Sequence, residues 1–93
     1  MKVRWTRPAL DDLVSIFRYV AEDNVDAAHR QRDRLRDATG LLADHPRVGR
    51  VVPELGSESI REIVRGNYRI MYRVGAEIHV LAVIEGHREI AAE

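Results

Sequence analysis

The sequence predicts an α+β fold in which an N-terminal strand and an α-hairpin pack on one face of a small antiparallel sheet, in the order β-α-α-β-β-β. Two observations support this prediction. Between residues 7 and 45, apolar side chains recur at the spacing of amphipathic helices. Between residues 59 and 85, apolar and polar side chains alternate, as in strands that are buried on one face only. Residues 1–93 are expected to form a single domain.

The chain is predicted to begin with a short strand followed by a helix. Val3 and Trp5 alternate with polar neighbours, which gives the strand one apolar side. Thr6 is a residue type that caps helices, and Pro8 then falls in the first turn, where its missing N–H costs little. The apolar positions that follow predict a helix over about residues 7–22.

A second helix is expected to begin after Asn24, another favourable capping residue, and to end before Pro46. The short break between the two helices favours an α-hairpin. The centre of the second helix, residues 29–34, is polar almost all round. We therefore expect this stretch to pack little within the chain, or to pack against a partner.

Residues 47–58 contain two glycines and a proline and are predicted to form a loop. After this loop, the alternating pattern predicts three strands that are joined by turns at Gly66-Asn67 and Gly75-Ala76. These strands cover Ser59–Arg65, residues 68–74 and residues 78–84.

Four arginines recur at every fourth residue along two of the predicted strands. Side chains of equal parity share one face of a strand. If the Gly66-Asn67 turn keeps the register simple, all four arginines converge on one surface, and Glu62 has the wrong parity to neutralise them. One interpretation is a solvated face whose arginine stems cover apolar surface. The other, which we favour, is a binding surface for an anion, a nucleic acid or an acidic peptide, formed by Arg61, Arg65, Arg69 and Arg73.

The neutral net charge hides an uneven distribution. Fifteen Lys and Arg residues balance fifteen Asp and Glu residues. Residues 47–75 hold six Arg and three Glu, a net charge of +3, whereas residues 76–93 hold one Arg and four Glu, a net charge of −3. The neutral total argues against a general nucleic-acid binder, but it leaves room for a local anionic target.

Composition excludes several classes of protein and site. The chain has no cysteine, so it can form neither a disulfide framework nor a cysteine zinc site. Its four histidines show no ligand spacing, and no glycine-rich phosphate loop is present, so we expect neither a metal nor a cofactor. No run approaches the roughly 18 apolar residues of a membrane span, and we expect a cytoplasmic protein without a membrane partner.

Several segments, in this order and spacing, resemble the ParE branch of the RelE/ParE superfamily of type II toxin–antitoxin toxins. The resemblance covers nearly the whole chain. The segments are WTRPALDDL at 5–13, IFRYVA at 16–21, LADHP at 42–46, VGR at 48–50, VPEL at 52–55, REIV at 61–64, NYRIMYRV at 67–74, VLAV at 80–83 and GHRE at 86–89.

The resemblance implies a RelE/ParE-like fold and a small cytoplasmic toxin that a cognate antitoxin holds inactive. Antitoxins of this superfamily typically wrap the toxin with an extended or helical segment. ParE-like members are understood to poison DNA gyrase, whereas RelE-like members cleave mRNA in the ribosomal A site. The two activities make different demands on the sequence.

RNA cleavage requires a base, an acid and a cation that stabilises the transition state. By resemblance, Arg69 and Arg88 match arginines of RelE-like nucleases, and Arg61 is the nearest substitute for a lysine of that site. A second nuclease subgroup is matched by Glu54, Arg69 and His87, but Arg88 stands where that subgroup has a tyrosine. The tyrosine that RelE places beyond Arg88 has no counterpart here. The nuclease set is therefore incomplete.

We accordingly expect a ParE-like toxin that binds DNA gyrase and is not itself a hydrolase. The arginines expected to contact the target or the antitoxin are Arg61, Arg65, Arg69, Arg73 and Arg88. One alternative is a ribosome-dependent mRNA endoribonuclease that uses Glu54, Arg69, His87 and Arg88. A second alternative is a regulatory binding module without toxicity.

Overall fold

The computed structural model describes residues 1–86, which form a helical layer packed on one face of a five-stranded sheet. The α+β architecture predicted from the sequence is confirmed. The elements are β1 (Val3–Trp5), α1 (Arg7–Ala21), α2 (Val25–Gly40), a 3₁₀ turn (Leu41–Ala43), β2 (Arg50–Val51), β3 (Ile60–Arg65), β4 (Tyr68–Val74) and β5 (Ile78–Glu85).

The sheet is mixed, with the strand order β1-β5-β4-β3-β2. β3, β4 and β5 form an antiparallel meander, and β2 pairs antiparallel with β3. β1 instead lies parallel to β5, with Val3 opposite Ile78 and Trp5 opposite Val80. The expectation of a purely antiparallel sheet is therefore wrong at one edge. The connection from β1 passes through both helices, and such long crossovers permit parallel pairing.

The segment predicted as a loop over residues 47–58 contains one additional strand. β2 is only two residues long, with Arg50 opposite Glu62 and Val51 opposite Arg61. Two residues are too few to produce an alternating pattern, and the flanking Gly49 and Pro53 favour a loop assignment. The pairing is therefore set by β3 rather than by local sequence preference.

Both helices begin where the capping residues predict. The Thr6 hydroxyl accepts a hydrogen bond from the Ala9 N–H at 3.4 Å, and the Asn24 side-chain oxygen accepts one from the Ala27 N–H at 2.9 Å. Each satisfies a backbone donor that has no partner within its helix. α2 ends at Gly40 and tightens into the 3₁₀ turn before Pro46, so the predicted stop is confirmed.

The polar centre of α2 packs against an aromatic ring of α1. No residue between Ala28 and Leu35 is buried. The Phe17 ring packs edge-on against His29, with 5.0 Å between ring centroids, and the Arg32 guanidinium lies 5.6 Å from the Phe17 centroid. As expected, this part of the helix adds little to the core.

The core lies between the helices and one face of the sheet. As the alternation predicts, Tyr68, Ile70 and Tyr72 of β4 all point toward the helical layer. Burial of these side chains is the main driving force for packing the two layers together. The buried residues of this core are Ala9, Leu13, Leu35, Ala38, Leu42, Ile63, Tyr68, Ile70, Tyr72, Ile78, Val80 and Val83.

The segment before β2 is fastened to the sheet by Gly49 and Tyr72. The Gly49 N–H donates a hydrogen bond to the buried Tyr72 hydroxyl at 2.9 Å. A Cβ atom on Gly49 would lie 2.5 Å from the Glu62 carbonyl oxygen and 2.7 Å from the Tyr72 hydroxyl oxygen. The backbone therefore approaches the sheet as closely as the absence of a side chain allows.

Gly49→Ala should destabilise the protein by about 2 kcal/mol, since the added methyl group forces the Glu62 backbone or the Tyr72 ring to move. Gly40→Ala is the matched control. Gly40 has helical dihedral angles, and a Cβ atom at this position would meet nothing within 4 Å. This control should raise the stability by about 0.5 kcal/mol. Urea unfolding measures both, and equal effects of the two substitutions would contradict the packing described.

Stability should also fall at alkaline pH. Burial raises the pKa of Tyr72 and of Tyr68 above the ordinary value of 10.0. Above about pH 10 the unfolded chain releases these protons while the folded chain retains them, so the free energy of unfolding decreases as pH rises. Tyr72→Phe should cost about 1 kcal/mol at neutral pH and should make the alkaline decline shallower. Urea midpoints across pH test this, and an unaltered slope in Tyr72→Phe would contradict it.

Candidate functional site

The turn between β3 and β4 places the four predicted arginines on opposite faces of the sheet. Gly66-Asn67 is a two-residue turn, so Arg65 pairs with Tyr68 and Arg61 pairs with Tyr72. Directly paired residues of antiparallel strands share a face. A two-residue turn therefore aligns odd positions of β3 with even positions of β4. The prediction that all four arginines converge on one surface is wrong for this reason.

Arg61 and Arg65 belong to the helical side of the sheet. Nη1 of Arg61 donates a hydrogen bond to the Gly49 carbonyl oxygen at 2.9 Å. Arg65 lines a surface depression together with Arg34 and Asp37 of α2. Both arginines therefore lie at the rim of the helical layer.

Arg69 and Arg73 lie on the other side of the sheet, which we call the open face because the helices do not cover it. Arg69 is nevertheless only 8% exposed, and Glu62 beside it is 1% exposed. The Glu62 carboxylate accepts hydrogen bonds from Nε of Arg69 at 2.8 Å and from Nη2 of Arg69 at 2.5 Å. The prediction that Glu62 cannot neutralise these arginines is therefore also wrong, and the same register explains why.

Two further side chains complete this arrangement. Arg50 of β2 donates to the second oxygen of Glu62, with Nη2 at 2.5 Å. Glu54, in the loop between β2 and β3, has a carboxylate oxygen 3.3 Å from Nη2 of Arg69. We call these four side chains, Arg50, Glu54, Glu62 and Arg69, the carboxylate–arginine network. Two positive and two negative charges make it neutral.

The network stabilises the charged form of Arg69 and holds its guanidinium in hydrogen bonds. The hydrogen bond from Arg69 to Glu62 raises the pKa of the guanidinium above its ordinary value, although burial acts in the opposite direction. A buried ion pair is tolerable only when its geometry and hydrogen bonds offset the loss of hydration. Glu62 meets this condition because arginines occupy both of its oxygens.

A cleft on the open face borders the network. Arg50 and Arg69 contribute to its wall, and the β3–β4 turn closes one end. Of the residues that match the nuclease set, Glu54 and Arg69 are brought together here as an ion pair. His87 and Arg88 lie outside the described residues 1–86. The complete lining is Arg50, Val64, Gly66, Asn67, Tyr68, Arg69 and Gly86.

Within residues 1–86, no group of three or more His, Asp or Glu side chains is arranged to hold a metal ion. None of the helices in this range combines the length and the apolar character that crossing a membrane requires.

Comparison with known proteins assigns the family. A family model described as the ParE toxin of the type II toxin–antitoxin system parDE matches residues 3–90. The chain belongs to the ParE toxin family. Two curated relatives agree with this assignment. The chain is 34% identical over 93 residues to "Putative toxin Y4kP" of Sinorhizobium fredii, covering 95% of this chain and 91% of the relative.

A second ParE relative is "Toxin ParE3" of Caulobacter vibrioides, which is 31% identical over 90 residues, covering 95% of this chain and 89% of the relative. A solved structure titled "Chromosomal ParDE TA system from P. aeruginosa" superposes with a TM-score of 0.76 at 24% identity. It covers 94% of this chain and 97% of the solved chain. This structural likeness confirms the ParE fold.

Sequence reasoning missed Glu62 and Arg50 as members of the site in this ParE chain. The pattern did contain the necessary information for Glu62. A two-residue turn at Gly66-Asn67 fixes the register, and that register places Glu62 on the same face as Arg69. Nothing local could have indicated Arg50, because its position depends on the two-residue strand β2.

Removing the buried carboxylate should destabilise the fold strongly. Glu62→Gln deprives the buried Arg69 of its principal counter-charge, so the free energy of unfolding should fall by about 3 kcal/mol. As a control, Asp11→Asn removes an exposed carboxylate 3.4 Å from Arg7 and should cost less than about 0.5 kcal/mol. Urea unfolding provides the comparison.

A double variant tests whether the two charges act as a pair. Glu62→Met combined with Arg69→Met removes both buried charges, and Arg50, whose side chain is 64% exposed, can turn toward water. The double variant should therefore be more stable than the sum of the single losses predicts, by about 2 kcal/mol. Strictly additive losses would contradict the pairing.

Proposed function

We propose that this ParE-family chain is a toxin that acts by binding, that its target is DNA gyrase, and that a cognate antitoxin neutralises it. The observation that supports binding over catalysis is the state of Arg69. This residue matches an arginine of the nuclease members by resemblance, yet its guanidinium is buried and paired with Glu62 and Glu54.

RNA cleavage would require these groups to act on a phosphate. A cation that stabilises a phosphorane-like transition state must reach the phosphate oxygens. Glu62 already accepts hydrogen bonds from Nε and Nη2 of Arg69, so a phosphate would compete with a fully buried carboxylate for these donors. Glu54, the matching candidate for the base, has its negative charge directed at Arg69, at 3.3 Å. A general base must instead contact the hydroxyl that it deprotonates.

We still propose that arginines contact a partner, but the four strand arginines do not form one surface and only some of them are accessible. Arg69 is a structural residue of the network, and Arg61 is tied to the Gly49 carbonyl. Arg73 is exposed and Arg65 is half-exposed, so these two can contact a partner. Arg88 keeps the same proposed role, although it lies outside the described residues.

An endoribonuclease is the second candidate, and one observation favours it. Glu54 and Arg69 are adjacent, and Arg69 lines the cleft on the open face. A carboxylate and a guanidinium at the edge of a cleft are the groups that such a reaction uses, provided that a substrate phosphate can displace Glu54 from Arg69.

Expression of the chain without its antitoxin distinguishes the two candidates. We expect gyrase-linked DNA breaks to accumulate while mRNA in the ribosomal A site stays intact. Glu54→Gln should leave the DNA breaks unchanged, because it removes a charge but keeps the side chain. Intact DNA, together with A-site mRNA cuts that Glu54→Gln abolishes, would contradict the proposal and establish the nuclease. Thermal unfolding of Glu54→Gln serves as the folding control.

A further inference from the structure

A row of basic side chains crosses the open face at the end away from the carboxylate–arginine network. Arg4 of β1 lies opposite His79 of β5, and His79 lies opposite Arg73 of β4. Side chains at paired positions share a face. Ile78 and Val80, which flank His79, belong to the core, so all three basic side chains project from the open face. We call Arg4, His79 and Arg73 the cationic row.

The cationic row is accessible and incompletely neutralised. The Arg4 side chain is 54% exposed, and Arg73 is exposed as well. Within residues 1–86 the Arg73 side chain forms no hydrogen bond and no ion pair. Arg4 and Arg73 are two strand spacings apart, about 10 Å at the level of the backbone.

One carboxylate, that of Glu77, partly neutralises the positive charge of the cationic row. Nε of Arg4 donates a hydrogen bond to Glu77. This bond lowers the pKa of Glu77 below its ordinary value, with smaller contributions from the charge of Arg4 and from nearby Lys2 and His79. Lys2, Arg4 and Arg73 against Glu77 give a local charge of +2, without counting His79. The network at the other end of the same face is neutral.

The surface beside the cationic row is apolar. β5 holds one residue more than β4 between the pairs Met71–Ala82 and Tyr72–Val80, and this extra residue is Leu81. Met71, Leu81 and Ala82 are all half-exposed. Positive charge next to apolar surface suits a polypeptide that carries both acidic and apolar side chains. A nucleic acid is matched less well, because its backbone offers closely spaced charges and the chain as a whole is neutral.

We propose that Arg4, His79 and Arg73, together with Lys2, form a docking surface for an acidic segment of a partner protein, with Glu77 as an intramolecular competitor. In the polyproline II conformation, which has three residues per turn, acidic residues three positions apart lie on one side of a segment about 9 Å from each other, close to the separation of Arg4 and Arg73. This inference goes beyond the proposed function, since it depends neither on gyrase nor on the toxicity of the chain.

The full chain can be titrated with a fluorescein-labelled peptide of about twelve residues that has glutamate at every third position and leucine or serine between. A matched peptide with glutamine at those positions and an oligothymidylate of similar length are the comparison probes. We expect binding of the glutamate peptide, weakened by added salt, and little binding of the other two. Chemical-shift changes should map to Arg4, Arg73 and His79.

Three variants test the surface. Arg4→Gln combined with Arg73→Gln should weaken binding of the glutamate peptide about tenfold. Arg18→Gln combined with Arg36→Gln removes the same charge from exposed positions of the helical layer and should change it less than twofold. Glu77→Gln should tighten binding about threefold, because it releases Arg4.

Each alternative result overturns the inference. Equal losses in the two double variants would show that only net charge matters. Unchanged or weaker binding by Glu77→Gln would remove its role as competitor. Oligothymidylate binding that equals the peptide's and depends on Arg4 and Arg73 would assign the surface to nucleic acid. None of these results bears on whether DNA gyrase is the target.

Discussion

The ion pair between Glu62 and Arg69 organises the side of the sheet that the helices leave uncovered. Glu62 joins β3 to β4 through Arg69 and to β2 through Arg50, and Arg69 also engages the loop through Glu54. Three strands thus meet at one fully buried carboxylate, and the loop joins them through Arg69. A short strand such as β2 has little stability of its own, so these charged hydrogen bonds are a major reason for its position.

The same ion pair links the fold to the question of chemistry. In a protein of this family, an arginine that matches nuclease members would be read from sequence as a catalytic cation. Here its hydrogen bonds are directed at the interior of the protein. A charged group that stabilises the native structure in this way is costly to redirect toward a substrate, because a buried carboxylate would lose its partner.

A structural feature could be predicted from the sequence when the interactions that form it join residues close together in the chain. The helix starts follow from Thr6 and Asn24, whose side chains bond to backbone groups three residues on. The bounds of β4 follow from alternation alone. Alternation does not predict that β1 pairs parallel to a neighbouring strand, or that β2 exists. Each of these features depends on a strand that lies elsewhere in the sequence. The face occupied by Glu62 was predictable in principle, but only by combining the turn length with side-chain parity. The sequence analysis therefore failed to find the site because it did not work out how β3 and β4 pair, residue by residue.

The position of β5 between β1 and β4 has a consequence for synthesis. Among residues 1–86, β1 pairs with β5 alone, so within this range it has no strand partner until residues 78–80 are available. The strand made first and the strand made last among the described elements must meet before the sheet is complete, and such distant contacts slow folding. During translation, β1 and the part of α1 that packs on β5 therefore stay uncovered until β5 has been made. The open face, which carries Arg4, His79 and Arg73, is assembled only once almost all of the described chain has left the ribosome.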